Sequence, residues 1–253
     1  MENEKLLSLL RSGKYREVYK TLKKKKLSED SFKIVILSLM LDGKVEIKDV
    51  EKLKVDSKIA KVKDSIIKCL KNESASKGTG GYNGDEENLL TIFRAWLEAS
   101  NERYEMCLKM LENVKTHSVE EDFIVAKLKM LVYYKHFNYD ALLTEFNNWK
   151  ETLTKWKNYI EMASIYLWMA ELLVDDGKLE EARETINVGI TYAKSEDKLL
   201  EKFREIEKKT IVDMKRCNNC GAYNSVREMD WCPVCGDKLS PYITSVKIKK
   251  SST

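Results

Sequence analysis

Polar turns recur along this chain at a spacing that few folds can accommodate. Ser12-Gly13-Lys14, Asp42-Gly43-Lys44, Ser100–Tyr104, Lys135–Tyr139 and Asp175–Leu179 interrupt an otherwise helical pattern. Between them apolar residues fall at helical spacing, as in Leu6, Leu9 and Leu10, then Val18, Tyr19 and Leu22. A Gly just past a helix end supplies the left-handed conformation that closes it. Breaks near residues 13, 43, 101, 138 and 177 are mostly thirty to forty residues apart, the mark of stacked helical hairpins. The expected fold is therefore mainly α: an α-solenoid of helical hairpins with a small C-terminal β ribbon. An ordinary helical bundle is the alternative. The expected divisions are residues 1–71 as N-terminal hairpins, 72–87 as a Gly-rich linker or loop, 88–215 as helical repeats and 216–253 as a metal-binding ribbon.

Asn72–Glu87 reads NESASKGTGGYNGDEE, with four Gly and no apolar periodicity. It lacks the G-x-x-x-x-G-K-[ST] spacing of a phosphate-binding loop and follows no strand pattern, so a linker or exposed loop is expected.

The clearest unit is Ala163–Ala193, ASIYLWMAELLVDDGKLEEARETINVGITYA. Its first half carries Tyr166, Met169, Ala170 and Leu173, Gly177 makes the turn, Leu179 follows, and its second half carries Ala182, Ile186 and Gly189. This pattern resembles the tetratricopeptide repeat, a helix-turn-helix family. The family's closing Pro is absent, since Lys194 stands there. A looser copy holds Ala95, Tyr104, Cys107, Leu111 and Val114, and Ala95 to Cys107 spans the same twelve residues as Ala170 to Ala182. The resemblance implies small residues at the helix crossings and a groove that receives a protein partner. Some relatives clamp a peptide carboxylate there. Here the corresponding face carries Ser164, Leu167, Glu171 and Val174, which suits a basic or amphipathic helix better.

Four of the six Cys form two C-x-x-C-G pairs near the C-terminus: Cys217 with Cys220, and Cys232 with Cys235, eleven residues between the pairs. Two such pairs bring four thiolates to the corners of a tetrahedron, the arrangement of a closed structural Zn2+ site. With all positions filled by Cys, no place is left for a catalytic water. Gly221 and Gly236 are expected to supply positive φ where each knuckle exits, Pro233 to stiffen the second, and Trp231 to cover the site or dock it on the last helix. A segment this short buries too little apolar surface to fold alone, so metal binding supplies much of its folding free energy. Tyr242–Lys249 alternates apolar and polar residues, as a strand does. The knuckles resemble those of rubredoxins, which leaves iron as an alternative to zinc. Repeats followed by a rubredoxin-like ribbon resemble the domain order of bacterial adaptors of lipopolysaccharide assembly. That implies an adaptor without implying the target.

Net charge is +4, unevenly spread: +8 over residues 1–72 (19 basic, 11 acidic), −7 over 73–215 (20 and 27) and +3 over 216–253 (6 and 3). Basic ends favour, as a second function, a nucleic-acid-associated factor of the translation or transcription machinery. Lys23–Lys26 is a candidate phosphate contact, or simply a solvated helix end that suits the helix dipole. The longest apolar stretch, around Ile34–Leu41, is too short to span a bilayer, and no signal-peptide core opens the chain, so no membrane partner and a cytoplasmic location are expected. The absence of Gln and scarcity of Pro lean toward a thermophilic source. No nucleophile motif, carboxylate pair or dinucleotide fingerprint appears. His117 and His136 have no ligand-spaced partner, and Cys69 and Cys107 sit at apolar helical positions. The expected function is a non-enzymatic adaptor or scaffold for a protein partner.

Overall fold

The computed structural model describes residues 2–71, 84–112, 114–210, 215–217, 219–220, 223–224, 231–232 and 234–238. Among these lie twelve helices: α1 (Glu2–Arg11), α2 (Tyr15–Leu22), α3 (Glu29–Leu41), α4 (Ile47–Glu51), α5 (Ser57–Leu70), α6 (Gly84–Ser100), α7 (Tyr104–Leu111), α8 (Val119–Lys135), α9 (Tyr139–Trp156), α10 (Tyr159–Asp175), α11 (Leu179–Tyr192) and α12 (Asp197–Thr210). The described residues also form two minimal strand pairs. Strand β1 (Lys26–Leu27) runs parallel to β2 (Lys54–Val55), and β3 (Lys215–Arg216) runs antiparallel to β4 (Tyr223–Asn224). The mainly α fold expected from the sequence is the fold observed. Helix α6 begins at Gly84, so the last four residues of the segment read as linker form its first turn, and residues 72–83 lie outside the described chain.

Local chemistry accounts for the helix ends. Ser28, Ser118, Asn138 and Asn158 cap α3, α8, α9 and α10 by accepting from the backbone N–H three residues on, which satisfies a donor the helix leaves open. Six helix ends close in one way. At Gly13, Gly43 and Gly177, with φ of 77°, 78° and 76°, the next residue's N–H reaches back five residues, as from Lys14 to Leu9 O at 2.9 Å. Glu102, Phe137 and Lys157 make the same turn at φ of 61°, 55° and 56° without a glycine. The turn at Lys157 carries no glycine or proline, and the spacing of polar turns in the sequence passes over it.

From Gly84 onward the helices stack as α6–α7, α8–α9 and α10–α11, with α12 closing the end. Each hairpin places two fully buried residues twelve positions apart at its crossing: Ala95 and Cys107, Met130 and Leu142, Ala170 and Ala182. The middle pair is large where the outer pairs are small, so in sequence the segment Tyr139–Trp149 reads as a degenerate copy. Aromatic side chains fill the spaces within and between hairpins, with Phe123 tilted on Trp149 at 5.3 Å inside α8–α9 and Phe146 edge-on to Tyr166 at 5.2 Å between α9 and α10. Helix α12 docks through Phe203, whose ring occupies the space a side chain at Gly189 would take.

The N-terminal helices do not simply prolong this stack. In a plain solenoid each unit touches only its neighbours. Here α3 packs on α1 and α2 and also on α6 and α8, while α1 reaches α9. The reason lies in α3 itself. Phe32 and every residue from Ile34 to Leu41 are buried. A helix apolar around its whole circumference needs cover on every side, which one hairpin partner cannot give.

Polar side chains fix this crossing. The Tyr15 hydroxyl donates to Glu161 Oε1 (2.8 Å) and accepts from Asn158 Nδ2 (3.1 Å). Lys127 Nζ donates to the same Glu161 oxygen (2.6 Å) and to Leu41 O (3.0 Å). Burial, with the Glu161 charge beside it, pushes the Tyr15 phenol well above its ordinary pKa, so it stays a donor. A second ring of contacts joins Lys33 to Glu121 Oε1 and Arg11 to Glu120 Oε1, each at 2.6 Å, with Arg11 also lying over the Trp156 ring. Glu121, fully buried, also accepts from the His117 backbone N–H through its other oxygen, at 2.7 Å.

Two substitutions test this packing. Gly189→Ala puts a methyl carbon 2.3 Å from Phe203 Cζ, so it costs about 1–3 kcal/mol by overpacking. In an open helix the same change stabilises. Lys127→Met leaves the Glu161 carboxylate buried without its cation and costs about 3 kcal/mol, while adding Glu161→Gln recovers part of the loss. Urea unfolding of the single and double variants reads both effects.

Candidate metal centre

Strand β3 delivers the chain into the first cysteine knuckle. Its pairing with β4 sets Lys215 opposite Asn224 and Arg216 opposite Tyr223, so the segment after Cys220 returns alongside the segment before Cys217. The second knuckle is closed by its own backbone. Cys232 N–H donates to Asp237 O (2.7 Å), and Gly236 N–H donates to Cys232 O (2.8 Å). Gly236 has a φ of 76°, the left-handed exit a glycine adopts at least cost. Trp231 and Lys238 form an antiparallel bridge across the base of this loop.

The two knuckles bring their sulfurs to one point. All four Sγ atoms of Cys217, Cys220, Cys232 and Cys235 lie within 4.8 Å of one another. The Cys217–Cys235 separation is 3.4 Å and the Cys220–Cys232 separation is 3.6 Å. A tetrahedral ion with metal–sulfur bonds of about 2.3 Å sets its sulfurs about 3.8 Å apart, so the cluster has the size to hold one metal ion. One Cys of each knuckle, Cys217 and Cys232, is buried, and the other is exposed. The Cys220 backbone N–H directed at the Cys217 sulfur holds that thiol below its ordinary pKa, with Asn219 adding to it. The thiol of Cys235, which faces Cys217, is shifted the other way, above its ordinary value. All four residues singled out from the sequence are thus brought together. Gly221, Pro233 and the Tyr242–Lys249 segment lie outside the described residues.

Trp231 does not take the covering role expected of it. It is 61% exposed, and Val234 in the second knuckle is 70% exposed. Its neighbour Cys232 turns inward instead, because the bridge to Lys238 fixes which face of the loop meets the sulfurs.

The remaining thiols and imidazoles play structural parts. Cys107 is fully buried at the α6–α7 crossing, and burial, with Glu98 adding to it, pushes its thiol up to about 12. Cys69 is half-buried against the core. His117 lies 3.3 Å from Asp85 on the surface, and His136 stands edge-on to Tyr104. Among the described residues no other group of three or more Cys, His, Asp or Glu converges on a possible metal position.

A second feature is an apolar cleft of 220 Å³ where α6, α8 and α10 meet the end of α3. Trp96, Leu131 and Trp168 line it, with Met40 and Leu41 at its floor. Trp96 Nε1 donates to Met40 O at 3.2 Å, so the indole caps α3 while its face borders the cleft. Trp168 is held by stacking on Tyr134, with centroids 5.3 Å apart, and Tyr134 in turn donates to Glu171 at 2.5 Å. The sequence places Trp96 and Trp168 on helical stretches 72 positions apart. It does not show that the end of α3 closes the cleft, since that contact joins residues far apart in the chain. A polar depression beside it, between the α8–α9 and α10–α11 turns, holds Asp140, Asp175 and Asp176, the last paired with Lys178 at 2.7 Å, next to Phe137, which is 72% exposed.

Compared with protein-family models, with curated proteins and with solved structures, the chain matches none. Its class is therefore defined by what is seen: a mainly α protein with a four-cysteine cluster able to hold one metal ion near its C-terminus. Among the described residues no helix is long and apolar enough to cross a membrane.

Serine substitution at Cys232 or Cys235 removes one of four ligands and lowers bound metal from about one per chain to a small fraction, with helical circular dichroism unchanged. In a thiol titration of the native protein at pH 8, a chelator releases four reactive thiols. Cys107 reacts only after unfolding.

Proposed function

We propose that this chain is a non-enzymatic adaptor whose cleft between α6, α8 and α10 receives an amphipathic helix of a protein partner. A structural zinc ion holds the C-terminal ribbon. The cleft carries the reading. Two indoles and a leucine around an apolar hollow are the kind of surface on which anchor side chains concentrate binding energy. The occupant is an amphipathic helix with a basic flank, because Asp140 and Asp175 edge the neighbouring depression, where Lys178 answers only Asp176. Glu171 contributes less than its position in the sequence implies, since its carboxylate is engaged by Tyr134.

The likeness to tetratricopeptide repeats supports the same reading. Ala170 and Ala182 are both fully buried where α10 and α11 cross, Gly177 turns between them, and Gly189 admits the next helix. Zinc fits the second knuckle and its partner because four thiolates fill a tetrahedral shell and leave no open position, as in closed structural sites.

The test compares capture of proteins by the parent chain with capture by Leu131→Glu and Trp168→Ala variants, with and without nuclease. A synthetic peptide covering the captured partner's helix then gives affinities by fluorescence anisotropy. The adaptor reading expects the peptide to bind the parent and to weaken at least about tenfold in either variant. Equal binding by variants that melt at the parent's temperature overturns it. Elemental analysis of the purified protein expects one zinc per chain. Iron and a red colour overturn the metal assignment alone.

A further inference from the structure

Two lysine-rich segments that lie far apart in the sequence share one surface, and the link between them is the parallel pair β1–β2. The register sets Lys26 opposite Lys54 and Leu27 opposite Val55. Leu27 is buried, so the lysines point outward, on strands about 4.8 Å apart. Like charges placed opposite one another across paired strands repel. Asp56 answers part of this charge by pairing with Lys26 at 2.5 Å. The rest goes unanswered: among the described residues Lys24, Lys52, Lys54 and Lys58 meet no acidic side chain. Lys58 adds a second local cost. It stands in the first turn of α5, where no acid is present and where a helix disfavours positive charge. Lys20 and Lys23, by contrast, sit at the end of α2, where the dipole welcomes them.

The patch is also free of apolar anchors. The exposed large hydrophobic residues among the described chain are Met106, Val119, Phe137, Tyr159, Val188, Trp231 and Val234, and none belongs to residues 2–71. A lipid surface engaged by a peripheral protein takes inserted apolar side chains as well as charge, and a protein partner takes buried aromatic or aliphatic anchors. Nucleic acid needs neither, because neutralising phosphates and releasing their counterions supplies the affinity.

We propose that Lys24, Lys52, Lys54 and Lys58 form a sequence-independent contact for the phosphodiester backbone of a nucleic acid, separate from the cleft. With no Arg and no exposed aromatic in the set, it positions a strand without reading bases.

Fluorescence anisotropy with a 20-base-pair DNA duplex and a 20-nucleotide single-stranded RNA tests this at 50 and 200 mM salt. Four engaged phosphates predict weakening of about 150-fold for the duplex and about 50-fold for the single strand across that range. Replacing all four lysines by Gln abolishes the salt-dependent binding, whereas Lys194→Gln with Lys198→Gln, on an exposed surface elsewhere, leaves it intact. Should the quadruple variant lose helicity, Lys24→Gln and Lys54→Gln alone each lower the salt slope by about one. The proposal is overturned by absent or salt-insensitive binding at 50 mM, by equal binding of parent and lysine variants, or by binding confined to phosphatidylserine-containing vesicles.

Discussion

The ammonium of Lys127 holds together parts of the chain that are far apart in sequence. It reaches the last carbonyl of α3 on one side and the Glu161 carboxylate in the first turn of α10 on the other. Tyr15 and Asn158 complete the set, and a side chain at Gly13 would meet the Asn158 amide at 2.7 Å. Taking a charged pair out of water is costly, and it is repaid only where geometry is good and remaining lone pairs are satisfied. This pair meets both conditions only when the α1–α2 turn, α3, α8 and α10 are all in place. Its energetic weight therefore falls on the specificity of the crossing. The apolar burial that drives the collapse comes from α3.

That burial also explains why a cleft exists. Helix α3 packs on α6 and α8 and then stops at Asp42 and Gly43, where the left-handed residue ends it. Beyond that point Trp96, Leu131 and Trp168 border open space. The cleft is what remains of a helical face after the chain's own N-terminal helix has used part of it. A partner helix in the adaptor reading would continue the cover that α3 begins.

The metal centre is built on different terms. Its residues lie within a span of nineteen positions, Cys217 to Cys235. Its second knuckle is closed by local backbone hydrogen bonds, and its four sulfurs need only each other and an ion. The lysine surface stands between these extremes. The Lys23–Lys26 run is evident in the sequence, but only a two-residue strand pair brings Lys54 beside it.

The information that the residues carry unaided is local. Helix periodicity, the glycines at 13, 43 and 177, and the two cysteine pairs all act within a few residues of one another. The mainly α fold and the four clustered sulfurs are therefore legible in the order of residues. The turn at Lys157 is not, because the backbone adopts the left-handed conformation there without the residue that advertises it. Nor is the exposure of Trp231, since a strand bridge determines which face of a loop turns outward. The place of α3 belongs to tertiary packing alone. An apolar helix states that it must be buried and leaves open against what. The answer rests on whether Lys33, Lys127 and Tyr15 find Glu121 and Glu161 across more than thirty intervening residues, and pairing over such distances is set by how the helices pack in three dimensions.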